Sequence, residues 1–239
     1  MAPIDSFPQL NLEAALVFLA AFVVAILLSL PSLLGYPLFR LTIIVHELGH
    51  VVATLISGGR SEWFRVYYGS KDGARGVAKR EGGKAYLVLP AGYVGVAIFS
   101  AGLILLTGLP YHAPFTLIVV AIILMLFTLS LGREMSTWLL VFGISAGLIL
   151  VAIFADLVWS FFLLSVVAIY TGISSIIQLI ELRRIIYHIP DEEEGGDDAS
   201  KMAKVMGCTP IFWTEVWLLF SITILGAAFW FTWIRNISA

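Results

Sequence analysis

Long apolar runs separated by two polar stretches set the pattern of this chain. Apolar segments of about 20 residues, enough to cross a hydrocarbon core of about 30 Å, recur at 13–34, 37–58, 85–107, 113–131, 136–155, 157–178 and 211–234. They predict an all-α polytopic membrane protein of about seven transmembrane helices, folded as a single membrane domain over 1–239. Pro37 stands where a helix start tolerates proline, and Gly58 and Gly59 close the second helix. Only Asp156 parts the fifth and sixth segments. A tight turn is expected there, because one helix of about 45 residues would overshoot the bilayer about twofold. The opening stretch "MAPIDSFPQLNLEAALVF" lacks a basic region, so it reads as a retained first helix rather than a signal peptide.

The polar stretches, 60–84 and 179–210, read as loops of different character. In the first, "SEWFRVYY" and "ARGVAKREGG" flank the turn-forming "GSKDG", which predicts a short hairpin at the membrane surface. In the second, "PDEEEGGDD" is an acidic, flexible linker, and "DDASKMAKVMG" carries the start and stop signals of a short helix. No internal repeat and no appended soluble domain is seen.

Composition agrees with the pattern: 60% of residues are hydrophobic and only 13% charged, against about 25% in a soluble domain. The net charge of −2 suggests no nucleic-acid partner. The lone Cys208 excludes an internal disulfide and a cysteine-rich metal site. Of 14 Lys and Arg, 12 lie in 60–84, at Arg133 and at Arg183, Arg184, Lys201 and Lys204, leaving Arg40 and Arg235. With seven spans all three basic loops share one side, and basic loops stay cytoplasmic. The N-terminus is then expected inside, the C-terminus outside, and the second helix descends inward. The pattern fits a prokaryotic plasma membrane.

Within the second segment, "LTIIVHELGHVVATLISGG", three ionisable residues sit where charge is costly. On a helix His46 and His50 stand one turn apart on one face and can hold one metal ion, with Glu47 beside them as general base to a water. Measured from Gly58 at 1.5 Å per residue, His50 lies about 12 Å and His46 about 18 Å from the cytoplasmic end. The ion would sit inside the bilayer, with water arriving from that side. Peptide hydrolysis at that depth would act on a membrane-embedded or membrane-adjacent substrate.

"HELGHVVATLISGGR" followed by "LPAGYVGVAIFSAGL" resembles the intramembrane zinc metalloproteases of the site-2 protease group, in particular a compact branch without appended regulatory domains. The resemblance covers the second and third segments and extends loosely to "DDASKMAKVMG". It implies one Zn2+ per chain and a zinc endopeptidase that cleaves in or near a transmembrane segment of a membrane-protein substrate. Better-known members take the third zinc ligand from an Asp-Gly pair on a later helix; here the only such pair is Asp72–Gly73, in the polar turn. The candidates are Asp198, Asp197, Glu134 and Asp156. Asp156 falls on the outer side. Glu134 follows Arg133, its expected ion-pair partner. Asp198 matches the Asp-Ala motif of the compact branch, provided residues 198–210 fold back into the bilayer. The expected site is therefore Glu47 as catalytic base with His46, His50 and Asp198 on the metal.

Ala91, Gly95 and Gly102 suit close helix packing, Tyr93 aromatic packing beside the site, and His112 and His188 solvated positions. The hairpin would hold substrate by strand addition, and proline at Val66 is expected to impair cleavage but spare zinc. Rival readings are a non-catalytic zinc-binding pseudo-protease, a structural subunit of a larger membrane complex, and a transporter. The last would need polar groups along several helices, and the first, third and fourth segments lack acidic and basic residues in their interiors. Self-association is compatible with the sequence.

Overall fold

The computed structural model describes residues 12–30, 35–66, 76–188 and 197–235. Among the described residues, nine α-helices and one hairpin follow in the order α1 (Leu12–Ser29), α2 (Tyr36–Ile56), β1 (Arg60–Val66), β2 (Gly76–Glu81), α3 (Ala85–Val88), α4 (Ala91–Thr107), α5 (Ala113–Leu131), α6 (Met135–Phe154), α7 (Leu157–His188), α8 (Asp198–Met206) and α9 (Pro210–Phe229). A 3-10 turn, Pro110–His112, opens α5, and a π-helical turn, Trp230–Ile234, ends the last helix. Among the described residues six helices are long and apolar enough to cross a membrane: α1, α2, α5, α6, α7 and α9. The chain is an all-α polytopic membrane protein. The acidic linker and the Asp72–Gly73 turn lie outside the described residues.

The seventh apolar segment is α4, only 17 residues long. The expected span 85–107 is broken at Leu89–Pro90 into α3 and α4, because proline supplies no N–H to continue the ladder. The sixth segment runs the other way: α7 continues past 178 to His188, 32 residues in all, because residues 179–189 hold no glycine or proline to stop it. The tight turn at Asp156 is present, with α6 ending at Phe154 and α7 starting at Leu157.

Association within a membrane draws little on the hydrophobic effect, so close backbone approach and satisfied polar groups must hold the bundle. Gly49 of α2 provides the approach: a methyl group there would lie 2.1 Å from the Ala91 carbonyl oxygen, and Gly95 packs on its Cα. Ala91 and Gly95 thus serve the expected close packing; Gly102 faces open space. Hydroxyls turn inward to carbonyls, as Ser100 Oγ does to Ala168 O at 2.7 Å and Thr54 Oγ1 to His50 O at 2.8 Å. That leaves little polar surface for lipid to solvate.

The hairpin forms as expected. Arg60 pairs with Glu81 and Val66 with Gly76, with an irregularity between Ser61 and Trp63. It is pinned to the α5–α6 connection. Phe64 is fully buried and stacks on Phe127 at 4.3 Å, the Arg133 N–H donates to Phe64 O, and the Val66 N–H donates to Thr137 Oγ1. The start of α9 joins the same end through Arg183–Glu215 at 2.9 Å. The three basic loops therefore share one end of the bundle.

The first helix departs from expectation. Phe18 stacks on Trp233 at 4.1 Å, and Trp233 Nε1 donates to Thr107 Oγ1, which places all three at the end opposite the hairpin. Leu12 is six residues before Phe18, about 9 Å along a helix. So α1 starts in the half of the bundle away from the hairpin, whereas a strict seven-span alternation puts its start at the hairpin end. Loop charge orders α2 to α9 but encodes nothing about α1, which holds no Lys or Arg.

Candidate metal centre

The centre is built from α2, which is buried along most of its length. One helical turn brings the His46 and His50 rings to a centroid distance of 4.7 Å, nearly perpendicular, with their Nε2 atoms 3.1 Å apart. The far nitrogen of His50 is tied down. Its Nδ1 lies 2.7 Å from the carbonyl oxygen of Val88, the last residue of α3. A helix end leaves its final carbonyls unpaired, and a carbonyl can only accept. Nδ1 therefore carries the proton and Nε2 presents its lone pair, the arrangement that orients histidine ligands in metal sites. His46 Nδ1 is buried with no hydrogen-bond partner among the described residues.

Asp198 arrives from the far end of the sequence. Its Oδ2 lies 3.0 Å from His50 Nε2 and 3.8 Å from His46 Nε2. The short helix α8 carries it. Asp197 caps that helix, accepting from the Ser200 N–H and hydroxyl at 2.8 and 2.9 Å. Ala199 and Met202 are buried against Leu89, Leu179, Leu182 and Trp217. The extension of α7 beyond 178 supplies Leu179 and Leu182, so the extra length of that helix is what docks α8.

Two imidazoles and a carboxylate with donor atoms 3.0–3.8 Å apart suit a tetrahedral ion whose ligand bonds are about 2.0–2.2 Å. The space beside them is kept by a glycine: a methyl group at Gly92 would lie 2.5 Å from both Nε2 atoms. Donor set and cradle both fit zinc. Glu47 is 6% exposed and faces β2, where Gly76 lies against its carboxylate. Tyr93 meets the edge of His46 at 4.6 Å and stacks on Trp217 at 6.0 Å, the expected aromatic packing.

The other candidates lie elsewhere. Asp197 is a helix cap, and Glu134 pairs with Arg65 at 3.0 Å rather than with Arg133. Asp156 and His112 sit at the opposite end of the bundle, and His188 ends α7. Sequence reasoning missed the Val88 carbonyl, Gly76 and Gly92. A backbone acceptor leaves no side-chain signal, and a glycine's role depends on neighbours distant in sequence.

No curated protein and no solved structure matches the chain. The Peptidase M50B-like family matches residues 19–228, which include α2, α4 and α8. That match is to the group that the HELGH motif and its flanks resemble, and the chain belongs to the Peptidase M50B-like family, a family of site-2-protease-like metalloproteases.

Proposed function

We propose that the chain is an intramembrane zinc endopeptidase that hydrolyses a peptide bond in or near a transmembrane segment of a substrate protein. One observation carries the reading. Three metal-ligating side chains from the two ends of the sequence converge beside a buried glutamate, inside an apolar bundle. His46, His50 and Asp198 would hold one zinc ion. Bound there, zinc supplies Lewis acidity and an acidified water. Glu47 takes a proton from the attacking water and delivers it to the leaving amine, so the water's oxygen joins the carbonyl carbon as the C–N bond breaks. The Val88 carbonyl fixes the His50 ring throughout.

A helical peptide bond is shielded, so substrate must be held extended. The hairpin offers a means. The edge of β1 is already engaged, by Arg133 at Phe64 and by Thr137 at Val66. The outer edge of β2 has no backbone partner among the described residues, and β2 begins against Glu47. Strand addition there would deliver main chain to the site. Proline at Val66 would break the Thr137 bond and test the hairpin's anchorage rather than this edge.

The test uses the purified chain and a panel of single-span peptides in detergent, with products identified by mass. Cleavage that a chelator abolishes and zinc restores is the expected result. A chain that binds zinc yet cleaves nothing that wild-type membranes process would contradict the enzyme reading.

A further inference from the structure

Two glycines lie against the motif, each from an element remote in sequence. Gly92, in the first turn of α4, faces the histidines. A methyl group there would lie 2.5 Å from His46 Nε2, His46 Cε1 and His50 Nε2. Gly76, the first residue of β2, faces the carboxylate. A methyl group there would lie 2.6 Å from Glu47 Cγ, 2.7 Å from its Oε1 and 2.9 Å from Ile43 Cγ2. Real side-chain carbons stay beyond about 3.0 Å from such atoms, so either addition forces a shift.

Backbone conformation does not explain either residue. The positive-φ glycines among the described residues are Gly58, Gly82, Gly83 and Gly207. Helix crossing alone does not explain them either: Gly49 meets the backbone of Ala91 and Gly92 where α2 crosses α4, but a methyl at Gly92 would meet the histidine side chains and one at Gly76 the Glu47 and Ile43 side chains. What both glycines spare is room at the reacting groups themselves.

We propose that Gly92 and Gly76 are positioning residues that keep the two halves of the site open, Gly92 over the donor nitrogens of His46 and His50, Gly76 over the carboxylate of Glu47. This deepens the zinc-endopeptidase reading and rests on it. The two roles separate. A methyl at 92 displaces the imidazoles and prevents both Nε2 atoms from facing one ion. A methyl at 76 leaves the donors alone and moves the carboxylate away from the water it must deprotonate.

The experiment compares full-length wild type, Gly92→Ala and Gly76→Ala for zinc affinity, by chelator competition, and for turnover. Gly92→Ala is expected to bind zinc at least tenfold more weakly, the scale on which disturbed ligand orientation acts. Gly76→Ala is expected to hold zinc within about twofold of wild type and to lose at least about tenfold in kcat with little change in KM. Double-mutant cycles in the melting temperature of the zinc-free proteins read the contacts independently of zinc and turnover. Gly92→Ala should lower Tm by less in a His46→Ala background, and Gly76→Ala by less in a Glu47→Ala background. Unchanged zinc affinity in Gly92→Ala, or full turnover in Gly76→Ala, overturns the corresponding role. So does a Tm cost that is the same with and without the partner. Coupled Tm values in a wild type that takes no zinc would overturn the enzyme reading and the roles built on it, while still registering the contacts.

Discussion

At the scale of single residues, metal binding and turnover are assigned to different side chains on one helical turn. Glu47 lies within that turn, yet none of the inter-ligand distances involves it. Glu47→Gln keeps the size of the side chain and removes its basicity. It is expected to lower kcat by about 10²–10⁴-fold while zinc per chain stays at the wild-type value. Loss of zinc in that variant would contradict the separation. The motif that identifies these residues was plain in the sequence, because two histidines four apart on a helix can only share a face. Asp198 was not plain in the same way. Nothing local marks it as a ligand, its neighbour Asp197 is chemically identical, and only a family resemblance favoured it. Three dimensions separate the two: Asp197 turns to the Ser200 N–H and Asp198 to His50.

At the scale of elements, the proposed third ligand depends on the docking of α8. That helix has nine residues, too few to be stable alone, so its place comes from packing. Met202 is 3% exposed in the small cluster with Leu179, Leu182 and Trp217. Met202→Ala removes most of that contact at a cost of about 2–5 kcal/mol. Its zinc affinity should fall toward that of Asp198→Ala, although residue 202 holds no ligand atom. Wild-type affinity in Met202→Ala would mean that Asp198 reaches the site without α8 docking. The α2–α4 crossing makes a second demand. Gly49→Ala drives a methyl into the Ala91 carbonyl, and overpacking of this kind costs about 1–3 kcal/mol. The expected outcome is a lower Tm together with weaker zinc binding, because α4 also carries Gly92. A Tm equal to wild type would show that the crossing is looser than the geometry describes. Neither dependence was legible beforehand. The apolar pattern shows where α7 leaves the bilayer but not that its extension is a platform, and Pro90 was submerged in a run that read as one span.

At the scale of the whole molecule, the basic loops, the hairpin and α8 gather at one end of the bundle, and in the proposed reading water and substrate reach the site from there. Cys208 is a native reporter of that end, exposed and placed between α8 and α9. A membrane-impermeant maleimide should label it from the cytoplasmic side of sealed vesicles and not from the outside. Tyr111→Cys in a Cys208→Ala background should show the reverse. Labelling of Cys208 from outside would invert the topology. The spans were legible because lipid demands long apolar runs, and the gathering of the basic loops at one end because they alternate with those runs. The placement of α1 was not. It has no flanking Lys or Arg, and its position is fixed by the contact of Phe18 with Trp233, which no periodicity announces.

The central claim is a single zinc site made by His46, His50 and Asp198, and zinc per chain tests it most directly. Purified wild type, His50→Ala and Asp198→Ala are compared by elemental analysis. The account predicts about one zinc in wild type, as one three-ligand catalytic site requires, and its loss in both variants. Full zinc in Asp198→Ala would contradict the assigned third ligand, and wild type that takes up no zinc even when it is supplied would contradict the account as a whole.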